Sequence, residues 1–481
     1  MVYHDLKSLL ARFRQEGECH EIEAEVDPSW EVGAICREIF DRQGPALVFK
    51  KVGHHRTPLV VGVFGTLRRY AMSLDCPPSV PEIRARWQRA YQAPIKPTVV
   101  SPQNAPSKQV KKTEIDLYGE PFPVPKWHKY DSNPYLGTLH GVITKDPETG
   151  WTNVGDYRNE LRGKDLLGQL IIPYRHIGLH WEKWRQLGKP MPIAIAIGLE
   201  PYLNLVSVTA VPAGVDEYDI AGGLKGEPVQ LTPAETCDLL VPATAQIIIE
   251  GEVPIDDFLP VEGPFGEFAG YMGDPVENCH YIRVKAVTHQ ENPYFQGTPP
   301  MVPPTEDGLM RCLGRSFALW RHLDNAGITG IKNVCVTQAG CAGFHAVVAI
   351  RKSYPGHVRD VMGNVWGHPT LFCKHCIVVD EDIDPWDPFK VEWAIASTVR
   401  AGRDVEIVKH GKSIIADPSS PRPHGGMRGA IESDLLGIDA TRPLDVYEEQ
   451  GMQFPHSANP PTEWVEEVRR RWRSYGFREE G

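Results

Sequence analysis

Residues 261–274 read Val-Glu-Gly-Pro-Phe-Gly-Glu-Phe-Ala-Gly-Tyr-Met-Gly-Asp and set two carboxylates, Glu262 and Glu267, five positions apart across Gly-Pro-Phe-Gly. Gly263-Pro264 and Gly266 argue against a helix, because proline removes a backbone donor and glycine is costly in a helix interior. The two side chains are therefore held by a turn or by adjoining extended segments. Two carboxylates brought to one cavity, one beside an arginine and the other in apolar surroundings, have their proton affinities pushed apart, which is acid/base equipment. A glycine-rich turn with two solvated glutamates is the plain alternative.

Outward from this stretch, residues 115–300 are mainly β in pattern. Short apolar runs at 138–144, 193–197, 205–210 and 246–250 are separated by Gly, Pro and Asp, as in a barrel or sandwich. Between them, Thr232-Pro233-Ala234-Glu235 has the form of a capping box and predicts one short helix. The flanks read differently. A helical period over 3–16 ends at Gly17, buried strands are expected at 46–49 and 59–64, and a helix at 67–72. After 307 a long helix is expected over 309–323, strands at 334–337, 346–350 and 376–379, and a helix over 392–399. Proline-rich stretches at 92–112 and 290–304 mark the joins. The expected organisation is an N-terminal α/β domain over 1–114, a central β domain over 115–304 and a C-terminal α/β domain over 305–481. Near the end, Trp464, Val465, Val468, Trp472 and Tyr475 form a stripe that could dock on the chain's own body or on a second copy; burial in its own core is the expectation.

A chain of 481 residues is too long for one core. Its 41% hydrophobic and 23% charged residues are those of an ordinary globular protein, and a net charge of −11 argues against a nucleic-acid partner. The N-terminus has no uninterrupted apolar run, and no stretch approaches the roughly 20 apolar residues of a spanning helix. A cytoplasmic protein without a membrane segment is expected. Ten scattered cysteines suit reduced thiols, and the C-x-x-C of Cys373 and Cys376 has no second pair to complete a zinc site.

A second polar stretch, residues 150–160, contains Asn153, with an amide oxygen, and Arg158, suited to bidentate carboxylate recognition. Next come His176, expected between apolar strands, and the acidic pair Asp216 and Glu217. Were Asn153, His176 and Glu217 to converge, two oxygens and one nitrogen would suit Mn²⁺ or Mg²⁺ better than Zn²⁺. Singly, each reads as well as a turn residue, a core histidine and a surface or helix-start acid.

The stretches N-x-G-x-Y-R at 153–158, R-H-I-G at 175–178 and E-G-P-F-G-E at 262–267 resemble, in order and spacing, the signature of the UbiD-type decarboxylases, which use prenylated FMN. H-P-x-x-x-x-K at 368–374 and G-I-D-A-T at 437–441 extend the resemblance over about 60–441. It implies a central split β-barrel like that of flavin reductases and a reversible, non-oxidative decarboxylation of an aromatic or heteroaromatic acid, releasing CO2. Decarboxylation of cinnamate-like acrylic acids, or a non-catalytic flavin- and metal-binding subunit, are the alternatives. It further implies that Arg158, Glu262 and Glu267 are the catalytic network. Asn153, His176 and Glu217, with Asp216 as a rival to the last, would hold a divalent metal that clamps the cofactor phosphate. Trp151 and Ser207 would lie around K⁺, Lys374 would bind phosphate, and Gly155, Asp156 and Arg175 would line the cofactor. His424 is a candidate for the substrate pocket. A flavin prenyltransferase would supply the cofactor, and a homodimer or higher homo-oligomer is expected. Phe268-Ala269 after Glu267, and Leu435-Leu436 before Gly437, stand where many relatives carry polar residues or a lysine. Both changes imply a more apolar substrate site.

Overall fold

A computed structural model describes residues 2–209, 211–420 and 431–477. The chain begins with the helix Leu6–Gln15, whose N-cap Asp5 accepts from the Ser8 amide, and Gly17 ends it with φ +72°. The strands Cys19–Val26, Ala46–Val52 and Leu59–Val61 form a small sheet, which the distant strand Phe295–Gln296 completes.

Ten strands make the central sheet. Its path runs Tyr135–Gly137, Asn159–Leu161, Leu166–Gln169, Val276–His289, Ile247–Val253, Met191–Ile197, His140–Lys145 and Thr152–Gly155, and Leu259–Glu262 and Val110–Lys112 also pair with Val276–His289. Tyr135–Gly137 stands at one end of this path and His140–Lys145 almost at the other, yet only two residues separate them in the chain. The sheet must therefore curl until its ends approach, which makes the half-barrel. Alternation along Met191–Ile197 explains why both faces are dry: Ile193, Ile195 and Ile197 enter one core, and Ala194 and Ala196 the other.

The third unit is a five-stranded sheet, in the order Ile331–Val336, His345–Ile350, His375–Asp380, Ile431–Ala440, Val405–Ser413. Val348 and Val378 face the core under the helices Glu306–Asn325 and His357–Trp366, whereas Val347 and Val379 face the core under Pro388–Thr398. Helices on both faces make it an α/β layer. Glu306, the first residue of the long helix, is fully buried and accepts the amides of Gly62 (2.7 Å) and Phe64 (2.9 Å). It ties the first sheet to the last unit. Glu306→Ala strands two buried donors, so a loss of about 2–5 kcal/mol is expected, read as a lowered denaturation midpoint.

Three local expectations fail. Residues 205–207 belong to the helix Pro201–Ser207 rather than a strand, because Pro201 at the first turn starts a helix in which every residue is buried. Residues 232–235 form no helix: Gln230–Pro233 is a strand, and the amides of Glu235 and Thr236 go to the Glu250 carboxylate instead (2.7 and 2.9 Å). The terminal stripe is not buried on its own chain. Thr462–Arg470 is helical, but Trp464 is 66% exposed and Trp472 and Tyr475 are exposed too.

Candidate active site

The curl of the central sheet decides where the polar stretch 150–160 lies. Thr152–Gly155 closes one end of the path and Asn159–Leu161 lies near the other, so Asp156, Tyr157 and Arg158 cross the seam between them. Gly155 is needed there, because a Cβ would stand 2.5 Å from the Tyr157 ring. Arg158 meets the 261–274 stretch, in which the strand Leu259–Glu262 ends on Glu262 and the chain then turns at Gly263 with φ +83°.

One arginine holds both carboxylates. Arg158 donates from Nε and Nη2 to the two oxygens of Glu262 at 2.9 and 2.6 Å, and from Nη1 to Glu267 Oε1 at 2.5 Å. Glu262 is fully buried and also accepts from the Tyr135 hydroxyl at 2.9 Å. Burial opposes the Arg158 charge, but the two glutamates outweigh it and raise its pKa. Glu267 keeps 21% of its side chain exposed, toward the cavity. Burial raises its pKa, against the opposing pull of Arg158 and Arg311. The two carboxylates thus share an arginine yet differ in environment.

The same cavity is lined by Asn153, Gly155, Asp156, Arg175, His176, Ser207 and Glu217. His176 does not sit between strands; it opens the helix His176–Gln186, with Nδ1 3.9 Å from Glu217 Oε1. Glu217 opens the helix Glu217–Lys225 and accepts the Val154 amide at 3.0 Å, beside Asn153. Asp216 is that helix's N-cap, accepting from the Tyr218 amide, so of the acidic pair it is Glu217 that faces the cavity. Burial raises the Glu217 pKa well above the usual range and lowers that of His176. The Asn153 amide nitrogen is buried with no partner among the described residues.

Trp151 stands behind this group, its indole donating to the Val215 carbonyl at 3.0 Å and its ring edge-on to His176. The Ser207 carbonyl accepts the Asp156 amide at 3.1 Å. Lys374 departs from expectation. Its ammonium is taken by both oxygens of Asp417 (2.8 and 2.9 Å) and by the Ser419 hydroxyl (2.6 Å), and it does not line the cavity. His424 lies outside the described residues. Cys373 is buried, which pushes its thiol up to about 12, and Cys376 is buried and free as well.

The C-terminal unit supplies the opposite wall, with groups the motifs did not single out. Arg311 and Arg315 line the cavity from one face of the long helix, four residues apart. Burial, then the neighbouring Arg311 and Arg175, lower the Arg315 pKa to about 9. Phe268, the apolar departure after Glu267, lines the cavity and lies 5.8 Å from Phe344 and 6.3 Å from Phe372. Leu435 is not part of the wall; it covers Gly411, where a Cβ would meet it.

A buried Arg–Glu–Glu network facing a cationic and aromatic wall is built to hold an acid and move a proton. Comparison with known proteins gives the same class, a carboxy-lyase. Family models for the N-terminal, Rift-related and C-terminal domains of 3-octaprenyl-4-hydroxybenzoate carboxy-lyase match residues 10–87, 98–303 and 308–440. The chain belongs to the UbiD family of decarboxylases. A protein of Archaeoglobus fulgidus is 32% identical over 466 residues, with 92% of each chain covered. The phenolic acid decarboxylase of Sedimentibacter hydroxybenzoicus is 29% identical, covering 97% of this chain and 98% of its own. Among solved structures, the UbiD-class enzyme HmfF of Pelotomaculum thermopropionicum in complex with FMN superposes with a TM-score of 0.84 at 33% identity, covering 96% of this chain and 98% of that one. The closed form of the S. hydroxybenzoicus vanillic acid decarboxylase gives 0.87 at 28% identity, with 98% and 99% covered. No described helix is long and apolar enough to cross a membrane.

Proposed function

We propose that the chain decarboxylates an aromatic or heteroaromatic acid, reversibly at high CO2, with prenylated FMN, Mn²⁺ (or Mg²⁺) and K⁺ bound in the cavity. The observation that carries this reading is the grip of Arg158 on both Glu262 and Glu267 at the cavity wall. An evolved dimeric form of HmfF, 31% identical to this chain, is solved in complex with prenylated FMN, which supports the cofactor. The residues present fit the metal: the Asn153 amide oxygen, a His176 ring nitrogen and the Glu217 carboxylate, all at the cavity, offer two oxygens and a nitrogen without a thiolate. Trp151 and Ser207 would flank K⁺, and Arg175 adds positive charge for a phosphate.

When bound, the prenylated flavin supplies the electron sink for the pair left by departing CO2, which no side chain offers. Arg158 orients the acid's carboxylate, while Glu262 fixes the guanidinium plane through two bonds. Glu267, whose surroundings favour its protonated form, delivers the proton that replaces CO2. Phe268 and Phe372 give the pocket an apolar side for the ring of the acid, and Arg311 and Arg315 lie over their faces.

The test compares protein co-expressed with a flavin prenyltransferase and supplied with Mn²⁺ and K⁺ against protein made without the prenyltransferase. CO2 release and ring-hydrogen exchange in D2O are followed over aromatic, heteroaromatic and cinnamic acids. Turnover confined to the co-expressed sample is expected. Silence over the whole panel, with the modified flavin verified by mass and absorbance, overturns the reading.

The uncovered Trp464–Trp472–Tyr475 stripe supports a homo-oligomer in which it rests on a second copy. Truncation after residue 456 is expected to lower the solution mass to that of one chain, measured by light scattering.

A further inference from the structure

His128 and Asp131 belong to none of the motifs above and do not line the cavity. They stand directly behind the turn that carries Glu267. The Asp131 side chain is fully buried and accepts three donors: the His128 amide (2.8 Å), the His128 Nδ1 (3.0 Å) and the Gly266 amide (3.0 Å). His128 Nε2 lies 2.6 Å from the carbonyl oxygen of Pro300, a residue of the cavity wall. The ring thus bridges a carboxylate and a backbone carbonyl, acceptors on opposite sides of it. The ring also meets Phe265 edge-on at 5.5 Å and fills the space where a Gly266 side chain would stand, 2.4 Å from Nδ1. The next residue in the chain is Glu267, whose own amide is held by the Tyr271 carbonyl at 2.9 Å.

We propose that His128, through Asp131, is a positioning residue for Glu267. It fixes the Gly266 backbone on one side and the Pro300 segment on the other, and so sets the distance between the proton donor and the bound acid. The inference rests on the reading of Glu267 as proton donor. The two Arg158–Glu262 bonds do not pass through His128, so loss of the clamp leaves the guanidinium held by Glu262 and falls mainly on Glu267 and its one bond to Arg158 Nη1.

The test uses the holoenzyme with Mn²⁺ and its best acid from the panel above. His128→Phe removes both ring nitrogens, and His128→Asn keeps one nitrogen near the place of Nδ1. For His128→Phe, kcat is expected to fall about 100-fold, since a misplacement of about 1 Å costs that much, with KM within about two-fold. Exchange of the product's ring hydrogen in D2O is expected to fall in step, while bound-flavin absorbance stays unchanged. His128→Asn is expected to recover part of kcat, and it also serves as the reporter should the phenylalanine variant not fold. Unchanged kcat in both variants, or a rise in KM with kcat preserved, overturns the proposal. An inactive native holoenzyme, or full turnover by Glu267→Gln, would instead sink the underlying reading of Glu267.

Discussion

Glu267→Gln is expected to lower kcat by about 10²–10⁴-fold while cofactor content and substrate KM stay close to native, because it removes the proposed general acid without removing volume. The amide keeps one oxygen for Arg158 Nη1, so the turn is not released. What is lost is the acidic proton. Burial raises the Glu267 pKa, and a raised pKa extends the protonated, active form to higher pH. The native rate should therefore be fullest below that pKa and decline as pH rises through it. In the glutamine variant the residual rate should lose that limb. Single-turnover measurement of CO2 release and of product protonation across pH checks both points, and an unaltered profile in the variant would exclude Glu267 as the donor.

Arg158→Ala combines a chemical loss with a structural one. Glu262 has no exposed surface and two of its three bonds come from Arg158, so the variant leaves a buried carboxylate with the Tyr135 hydroxyl alone. Breaking a buried ion pair on one side costs about 3–5 kcal/mol, enough to lower the unfolding midpoint sharply. Turnover should be lost as well, since nothing else in the network orients the acid. Arg158→Lys separates the two effects. A single ammonium restores charge to the pocket, so most of the stability should return, but it cannot meet three carboxylate oxygens in one plane and turnover should stay absent. Recovery of turnover in the lysine variant would mean that charge alone, without the guanidinium geometry, is sufficient.

Motifs made most of the cavity legible in the sequence. Local structure was harder to read. Asn153, Arg158, His176, Glu217 and Glu267 do meet in one cavity, with Glu262 buried behind Arg158, and the glycine and proline of 263–266 do exclude a helix. The failures have different causes, in one of which a partner distant in sequence overrode a local rule. The capping box at 232–235 gave way because the Glu250 carboxylate, on another strand, took the amides that a helix start would have used. The strand expected at 205–210 ignored Pro201, which begins a helix four residues earlier. Lys374, matched by resemblance to a phosphate-binding lysine, bonds Asp417, forty-three residues on, a contact the motif does not announce. Arg311 and Arg315 had a readable signal, two cations one helical turn apart within a predicted helix, although nothing said that this face met the cavity. His128 and Asp131 gave almost none. They lie three apart in a proline-rich stretch without periodicity, and only the fold shows what they hold.

The two walls of the cavity come from different parts of the chain. Asn153, Arg158 and Glu267 all sit on the curled sheet or its turns, as does Glu262 behind them, whereas Arg311, Arg315, Phe372 and the 414–416 segment arrive from beyond Glu306. The carboxylate network and most of the facing wall are thereby written in separate stretches of sequence, Phe268 being the wall residue that travels with the network. The facing wall can be recombined between relatives, as one exchanges a die while keeping the press: a chimera joined just before Glu306 would take the Arg158–Glu262–Glu267 network and Phe268 from one parent and Arg311, Arg315 and Phe372 from the other.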